Sequence, residues 1–518
     1  MDSTLVSPTE TIFRASRLTI GTLLRNQARN IPNAIAVDDG NRKITFRDFN
    51  TKVNRIAAMM LEAGIEHGER VAVLSENRCE YLEIIFAAAK IGVIVSTLNW
   101  RLKPKELAYC IDLVAPKIIF HSSRFAEGRD LYEQCEWIEF GAEFEDLLEG
   151  RSDADPDADL DPEDGLLIIY TSGTTGLPKA ALLSHRAELA RMFVNTTDFG
   201  LKPGDAYVAW PPMFHMVSAE QCIHVICLGG TAVVVDGFDL DRIVHEIAER
   251  KQWWLIAMPG MIDALIKALK DGRIEPKGVR YVGVMADLVP PQKVGELSAL
   301  LNAPFCNTFG CTETGLPPGS AGKFDVGHEP VSMAKTANTF CDFRLVDDDG
   351  CDVQEGEPGH LLFRGPTLFS GYWNAPEINA KEFADGWYRM GDMFIQNADG
   401  TLIFADRAKY LIKSGGENIY PAEIEREIFK DSRVEDVVVV KRPSDDWGEV
   451  PVAVIACKEG TNLTEEEVLQ RCMEGIGRYK CPKAVIFVGV SDLPRSTTGK
   501  ILRHEVEQWP AVLNCSLR

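Results

Sequence analysis

Two glycines, four short hydroxyl side chains and a lysine fall together in Tyr170-Thr171-Ser172-Gly173-Thr174-Thr175-Gly176-Leu177-Pro178-Lys179. Glycine at 173 and 176 lets the backbone bend tightly and turn its N–H groups toward an anion. The hydroxyls add weak donors and Lys179 adds a full charge, so the loop can hold a polyphosphate. It is not a Walker loop, because the G-x-x-x-x-G-K-[ST] spacing is absent. Taken alone, such a run is more often a plain turn.

Further along, Thr312 and Glu313 stand side by side in Phe309-Gly310-Cys311-Thr312-Glu313-Thr314. The hydroxyl can bind a phosphate oxygen, and the carboxylate can take a divalent cation that bridges phosphates. Tyr388-Arg389-Met390-Gly391-Asp392 sets a carboxylate after a glycine, suited to two vicinal ribose hydroxyls. Arg407 can add a donor to the same sugar or phosphate. A turn salt bridge accounts for these residues as well. Ser414-Gly415-Gly416-Glu417-Asn418 is a polar turn, and Pro494-Arg495-Ser496-Thr497-Thr498-Gly499-Lys500 a hydroxyl-rich loop. A solvated Lys500 would be dispensable; in a nucleotide enzyme it can neutralise a carboxylate nucleophile and an α-phosphate together.

The elements that must carry these loops alternate between about residue 70 and residue 310. Leu166–Ile169 precedes the first loop as an apolar strand, and a helix is expected from Ser184. Val71–Leu74, Val93–Thr97, Ala206–Trp210, Thr231–Val235, Trp254–Met258, Tyr281–Met285 and Pro304–Thr308 read as strands. Amphipathic helical segments lie between them, near 218–228, 239–250, 259–269 and 290–301. This alternation predicts an α/β fold with mostly parallel sheets flanked by helices. Ligand loops then follow strand ends, as Phe309–Thr314 does. Beyond residue 335 short strands and turns predict a small β subdomain. After about Asp406 comes a compact α+β unit whose helix starts at Pro421, with Ile424 and Ile428 on one face.

At 518 residues the chain exceeds one hydrophobic core. A net charge of −22 disfavours nucleic-acid and anionic-membrane partners. No apolar run approaches the ~18–20 residues of a membrane span. Met1–Arg14 lacks a basic-then-apolar signal pattern. The thirteen cysteines show no C-x-x-C pair, which suits reduced thiols in the cytoplasm better than disulfides or zinc.

Taken in order, YTSGTTGLPK at 170–179, FGCTET at 309–314, YRMGD at 388–392, DRAKYLIKSGGENIYPAEIE at 406–425 and PRSTTGKILR at 494–503 resemble the adenylate-forming superfamily, in its acyl-CoA synthetase branch. The resemblance runs over nearly the whole chain. It implies an N-terminal domain at 1–407 and a small mobile C-terminal lid at 408–518, hinged near Lys409. It also implies two half-reactions: ATP and a carboxylic acid give an acyl-adenylate and pyrophosphate, then a thiol captures the acyl group. Carried over by position, Thr171, Ser172, Gly173, Thr174, Thr175, Gly176 and Lys179 would hold phosphates. Thr312 would contact phosphate and Glu313 Mg2+, with Phe309 and Gly310 beside the nucleotide. Asp392 and Arg407 would bind ribose, Lys500 would be the adenylation lysine, and Gly415, Gly416 and Glu417 would shape the thiol channel.

Phe214-His215 matches the family's aromatic–histidine element beside the acyl pocket. Amino-acid-activating members commonly place aspartate where His215 stands, so an amino-acid substrate is disfavoured; a satisfied core histidine is the other reading. Trp210, Met216, Met258 and Met285 are expected pocket residues, and their apolar character points to a fatty, alicyclic, aryl or steroid-derived acid. Two departures stand out: Phe309 replaces the usual tyrosine, and Tyr281–Asp287 replaces a glycine/alanine-rich turn, so Met285 and Asp287 alter the pocket's shape. No carrier-protein domain follows residue 518, which favours CoA as acceptor. An acyl-AMP ligase serving a carrier protein, a light-emitting oxygenase and a non-catalytic binding protein are the alternatives. A homodimer is left open.

Overall fold

In the computed structural model, the described residues are 10–132, 134–171, 177–272, 274–414, 417–444, 446–476, 478–495 and 500–517. By internal contacts the chain divides into one unit of residues 1–342 with 364–384, and a second of 343–363 with 385–518. The expected hinge at Lys409 concerns rotation rather than packing density, and the division at 407/408 remains a proposal.

The first unit is built on two sheets. One has the strand order Glu136–Glu139, Ile118–His121, Arg70–Leu74, Ile94–Thr97, Gly165–Thr171, Lys179–Ser184. Its pairs are parallel except the last. The other has eight strands, with Phe305–Cys306, Val279–Val282, Gln252–Leu255, Ala206–Ala209, Thr231–Val234 and Ile35–Asp38 adjacent in that order and parallel. Their central strands are buried throughout because helices cover both faces: every residue of Ile94–Thr97 and of Ala206–Ala209 is buried. The helix Cys79–Ile91 is buried along its whole length. Met216–Cys227 is nearly so, His185–Thr197 is buried along one face, and both carry charged residues into the interior. Ser184 caps His185–Thr197 by accepting from the Ala187 N–H at 3.3 Å.

Two strands are displaced from expectation, Pro304–Thr308 shortens to Phe305–Cys306, and one strand is new. The apolar run before Pro259 forms a strand at Gln252–Leu255, earlier than Trp254–Met258. Tyr281–Met285 yields Val279–Val282, because Gly283 turns at φ +80° and its carbonyl accepts from the Trp254 indole N–H. Lys179–Ser184, not expected as a strand, folds back on Gly165–Thr171 with Thr171 opposite Lys179.

In the second unit, Trp387–Gln396 pairs antiparallel with Pro358–Arg364 and Leu402–Arg407. A further sheet is organised around the hairpin Val434–Ser444 and Gly448–Cys457, joined by Ala484–Val488 in parallel. One face of the hairpin packs on Ile424 and Ile428 of the helix Pro421–Phe429. The other packs on Leu493, Val506 and Val512. Among the described residues no helix is long and apolar enough to cross a membrane.

Candidate active site

The expected acyl and metal residues of the first unit follow the carboxyl ends of four neighbouring parallel strands. Trp210 follows Ala206–Ala209, Met258 follows Gln252–Leu255, Met285 follows Val279–Val282, and Phe309–Glu313 follows Phe305–Cys306. Strand ends at which loops leave a parallel sheet are where such folds place ligands. The loops are tied to each other. The Trp210 indole donates to the Ile256 carbonyl at 2.9 Å, and the Met285 N–H donates to Thr308 Oγ1 at 3.1 Å. Met285 sits at φ +44°, a strained conformation for a side-chain-bearing residue. Asp287, two residues on, is paired with the buried Lys335.

Phe214-His215 is positioned by residues that the sequence did not single out. Asn77 donates to the Ala209, Pro211 and Val235 carbonyls and accepts from the Met213 N–H at 2.7 Å. Thr97 bridges the Ile168 and Phe214 carbonyls. His215 is the N-cap of Met216–Cys227, its Nδ1 accepting from the Val217 N–H at 3.4 Å. The ring is half-buried, whereas Met216 is buried within the helix.

Thr312 and Glu313 are both buried, 8% exposed. A Cβ at Gly310 would lie 2.1 Å from the Gly315 carbonyl, so the turn closes only with glycine there. Glu313 is held at two points by one segment: its carbonyl accepts from the Phe369 N–H at 2.8 Å, and its Oε1 accepts from the Tyr372 hydroxyl at 2.7 Å. That segment is fastened to Lys179–Ser184 by Ser370 and Trp373 N–H groups donating to the Leu182 and Ala180 carbonyls. Tyr372 carries no sequence signal of its own; its role depends on this docking. Its ring lies 4.4 Å from Lys179 Nζ, which pairs with Glu382 at 2.7 Å. Lys179, expected on phosphates, is thus engaged by a carboxylate.

Among the described residues no group of three or more His, Cys, Asp or Glu could cage a metal. Glu313 instead presents one buried carboxylate oriented by a neutral hydroxyl. That fits Mg2+, which binds through one or two carboxylates while phosphates and water complete its octahedron.

In the second unit Asp392 lies directly opposite Arg407 on the adjacent strand, with Arg407 Nε 3.3 Å from Asp392 Oδ1. Asp392 is buried and Arg407 reaches solvent. Neighbouring Asp406 accepts from the Arg407 and Ala422 N–H groups, the latter at the start of Pro421–Phe429. Arg503 lies 3.6 Å from Asp406, donates to Glu425 at 2.7 Å and covers the Tyr410 ring at 4.6 Å. Arg503 stands three residues after Lys500, which is exposed and precedes Ile501, bridged to Arg495. Lys409 and Glu417 are exposed. Ser172, Gly173, Thr174, Thr175, Gly176, Gly415 and Gly416 lie outside the described residues.

Comparison with known proteins adds to this geometry. Residues 24–373 match the model described as AMP-binding enzyme, and residues 423–500 match that of the AMP-binding enzyme C-terminal domain. The chain is 34% identical to an indoleacetate–CoA ligase of Aromatoleum aromaticum, over 93% of this chain and 96% of that protein. It is 30% identical to a feruloyl-CoA synthase of an Amycolatopsis species, over 93% and 97%. The solved structure of ATP-bound MatB from Rhodopseudomonas palustris superposes with a TM-score of 0.83 at 26% identity, covering 95% of this chain and 98% of that one.

Proposed function

Because this chain belongs to the AMP-binding enzyme family and is an AMP-forming acyl-CoA synthetase, we propose that its acid substrate carries an aryl or similarly flat apolar body. The observation that carries this reading is the placement of the apolar side chains Trp210, Met258 and Met285 just after three adjacent parallel strands. Trp210, with its indole N–H already engaged by Ile256, offers a ring face rather than a donor. Relatives named for indoleacetate and ferulate support an aryl group. Fatty acids are the second reading, supported by a relative named as a long-chain-fatty-acid–CoA ligase at 28% identity.

A carboxylate is a poor electrophile, and a thiol cannot displace oxide from it. Coupling to AMP supplies a leaving group. In the proposed adenylation, the acid's carboxylate oxygen attacks the α-phosphorus of ATP and the bond to pyrophosphate breaks. Thr312, Thr171 and Lys179 bind phosphate oxygens, with the loop from Ser172 to Gly176 between them. Asp392 and Arg407 hold the ribose. Glu313 would hold Mg2+, which when bound neutralises phosphate charge. Lys500 brings positive charge to the carboxylate and the α-phosphate as two anions meet. The thiol of CoA then attacks the acyl carbon, AMP leaves, and the thiol proton passes to solvent. Rotation of 408–518 about Lys409 would separate the two half-reactions, exchanging Lys500 for Gly415, Gly416 and Glu417. Thirteen thiols without a disulfide support a cytoplasmic setting.

The test is acid-dependent pyrophosphate release over a panel of aryl, fatty, alicyclic and steroid-side-chain acids. Aryl-acetic and aryl-propenoic acids are expected to give the highest kcat/KM. Turnover confined to long unbranched chains would refute the aryl assignment.

A further inference from the structure

One arginine outside every motif joins the elements that present the metal-side and acid-side residues. Arg191 lies in His185–Thr197, is 3% exposed, and spends its guanidinium on three separate segments. Nη2 donates to the Thr312 carbonyl at 2.9 Å, and Nε to the Thr367 carbonyl at 3.0 Å. Nη1 donates to Glu220 Oε1 at 2.5 Å. Thr367 begins the segment whose Phe369 and Tyr372 grip Glu313. Glu220 lies on Met216–Cys227, the helix capped by His215. The turn is moulded to this side chain: Gly315 has φ +76°, and a Cβ there would lie 2.9 Å from Arg191 Nε.

The guanidinium shares its surroundings with a second buried carboxylate, one oxygen of which makes no hydrogen bond. Glu188, one turn back on the same helix, is engaged by His224 at 3.1 Å. Asn195 donates to both Gln221 Oε1 and His224 Nδ1 at 2.7 Å, which makes His224 the neutral Nε2–H tautomer, donating to Glu188. Burial pushes His224 down to about 4, in agreement with that assignment. Burial raises both Glu188 and Glu220, and the charge of Arg191 opposes this. Arg191 is therefore the buried cation of the group. A buried ion pair is a poor device for stability, since apolar residues of similar size often serve equally well. Its planar fork, however, fixes directions that a point charge cannot.

We propose that Arg191 is a positioning residue for adenylation: it sets the Thr312-Glu313 backbone and the Thr367–Tyr372 clamp so that Mg-ATP meets a preformed site. This rests on the ligase reading above. Two variants test it. Arg191→Met combined with Glu220→Leu removes the pair together, leaves the buried Glu188 carboxyl to take up a proton, and is expected to melt close to wild type. Arg191→Lys keeps a cation beside Glu220, but its single nitrogen cannot occupy the three positions from which Nε, Nη1 and Nη2 donate. Titration calorimetry with Mg-ATP should show Kd raised about tenfold in both, the loss of roughly one charge-assisted hydrogen bond. Pyrophosphate release should fall by at least as much, while CoA transfer from supplied acyl-adenylate stays within about twofold. Wild-type Mg-ATP affinity in either folded variant overturns the proposal. Acid-dependent turnover missing from the wild type would instead strike the ligase reading, with the calorimetry still deciding the role of Arg191.

Discussion

Replacing Tyr372 by Phe removes one oxygen and leaves the ring. The ring's packing is then conserved, against Phe369 at 4.8 Å between centroids and beneath Lys179 at 4.4 Å. What disappears is the 2.7 Å bond to Glu313 Oε1. Hydrogen bonds to charged groups contribute about 1.5–3 kcal/mol, and burial of both partners leaves little room for water to replace this one. An Oε1 relieved of its donor gains a lone pair toward a cation, but Mg2+ readily completes its shell with water, so lost orientation dominates. At about 1.4 kcal/mol per factor of ten, the expected fall in kcat/KM for adenylation is about ten- to hundredfold. The Mg2+ concentration giving half-maximal rate should rise with it. The assay is acid-dependent pyrophosphate release across a Mg2+ titration, beside a melting curve of each protein. Adenylation within twofold of wild type at every Mg2+ concentration would refute the view that Tyr372 orients Glu313.

Three further outcomes are expected. Lys500→Ala should abolish adenylate formation yet leave thioester formation from supplied acyl-adenylate largely intact; equal loss of both half-reactions would sink the two-state assignment. Glu382→Gln should lower KM for ATP by up to about fivefold, because a partly buried pair worth about 1 kcal/mol no longer holds Lys179; an unchanged or raised KM would place Lys179 away from phosphate. Glu83→Gln should change the pH dependence of stability. Burial lifts the Glu83 carboxyl from 4.5 to about 7, against the pull of Lys52. The folded chain therefore keeps a proton between those values that the unfolded chain releases, so wild-type stability falls through that window and levels above it. The glutamine variant escapes this and should gain on the order of 3 kcal/mol relative to wild type between pH 4.5 and pH 8. Parallel urea midpoints for the two proteins across that range would contradict it.

Local chemistry made much of the molecule legible. Val71–Leu74, Thr231–Val235 and the helices near 259–269 and 290–301 lie close to where apolar runs and amphipathic patterning put them. Ends inside continuous apolar runs were not legible. Trp253 to Met258 has no polar mark to stop a strand, and pairing of Gln252 with Val279 decided where it lies. Lys179–Ser184 escaped notice because its strand character comes from folding back on Gly165–Thr171. The five motifs could be picked out by residue type and order, and the roles proposed for their acids and donors follow from the resemblance. Their partners could not: Tyr372 and Glu313 are 59 residues apart, Arg191 and Thr312 121, Lys179 and Glu382 203.

By itself the sequence determined which groups are available to the proposed reaction: hydroxyls and glycines proposed for phosphate, one carboxylate proposed for a cation, a lysine proposed for adenylation, and apolar strands to carry them. Side-chain identity and local backbone preference act over a few residues, so that much is written in the order of the chain. Tertiary structure decided which of these groups are already engaged and by whom. It set Glu313 under Tyr372, Lys179 on Glu382, and Arg191 behind Thr312. A hydrogen bond forms between neighbours in space, and only the packing of sheets and helices makes such distant residues neighbours.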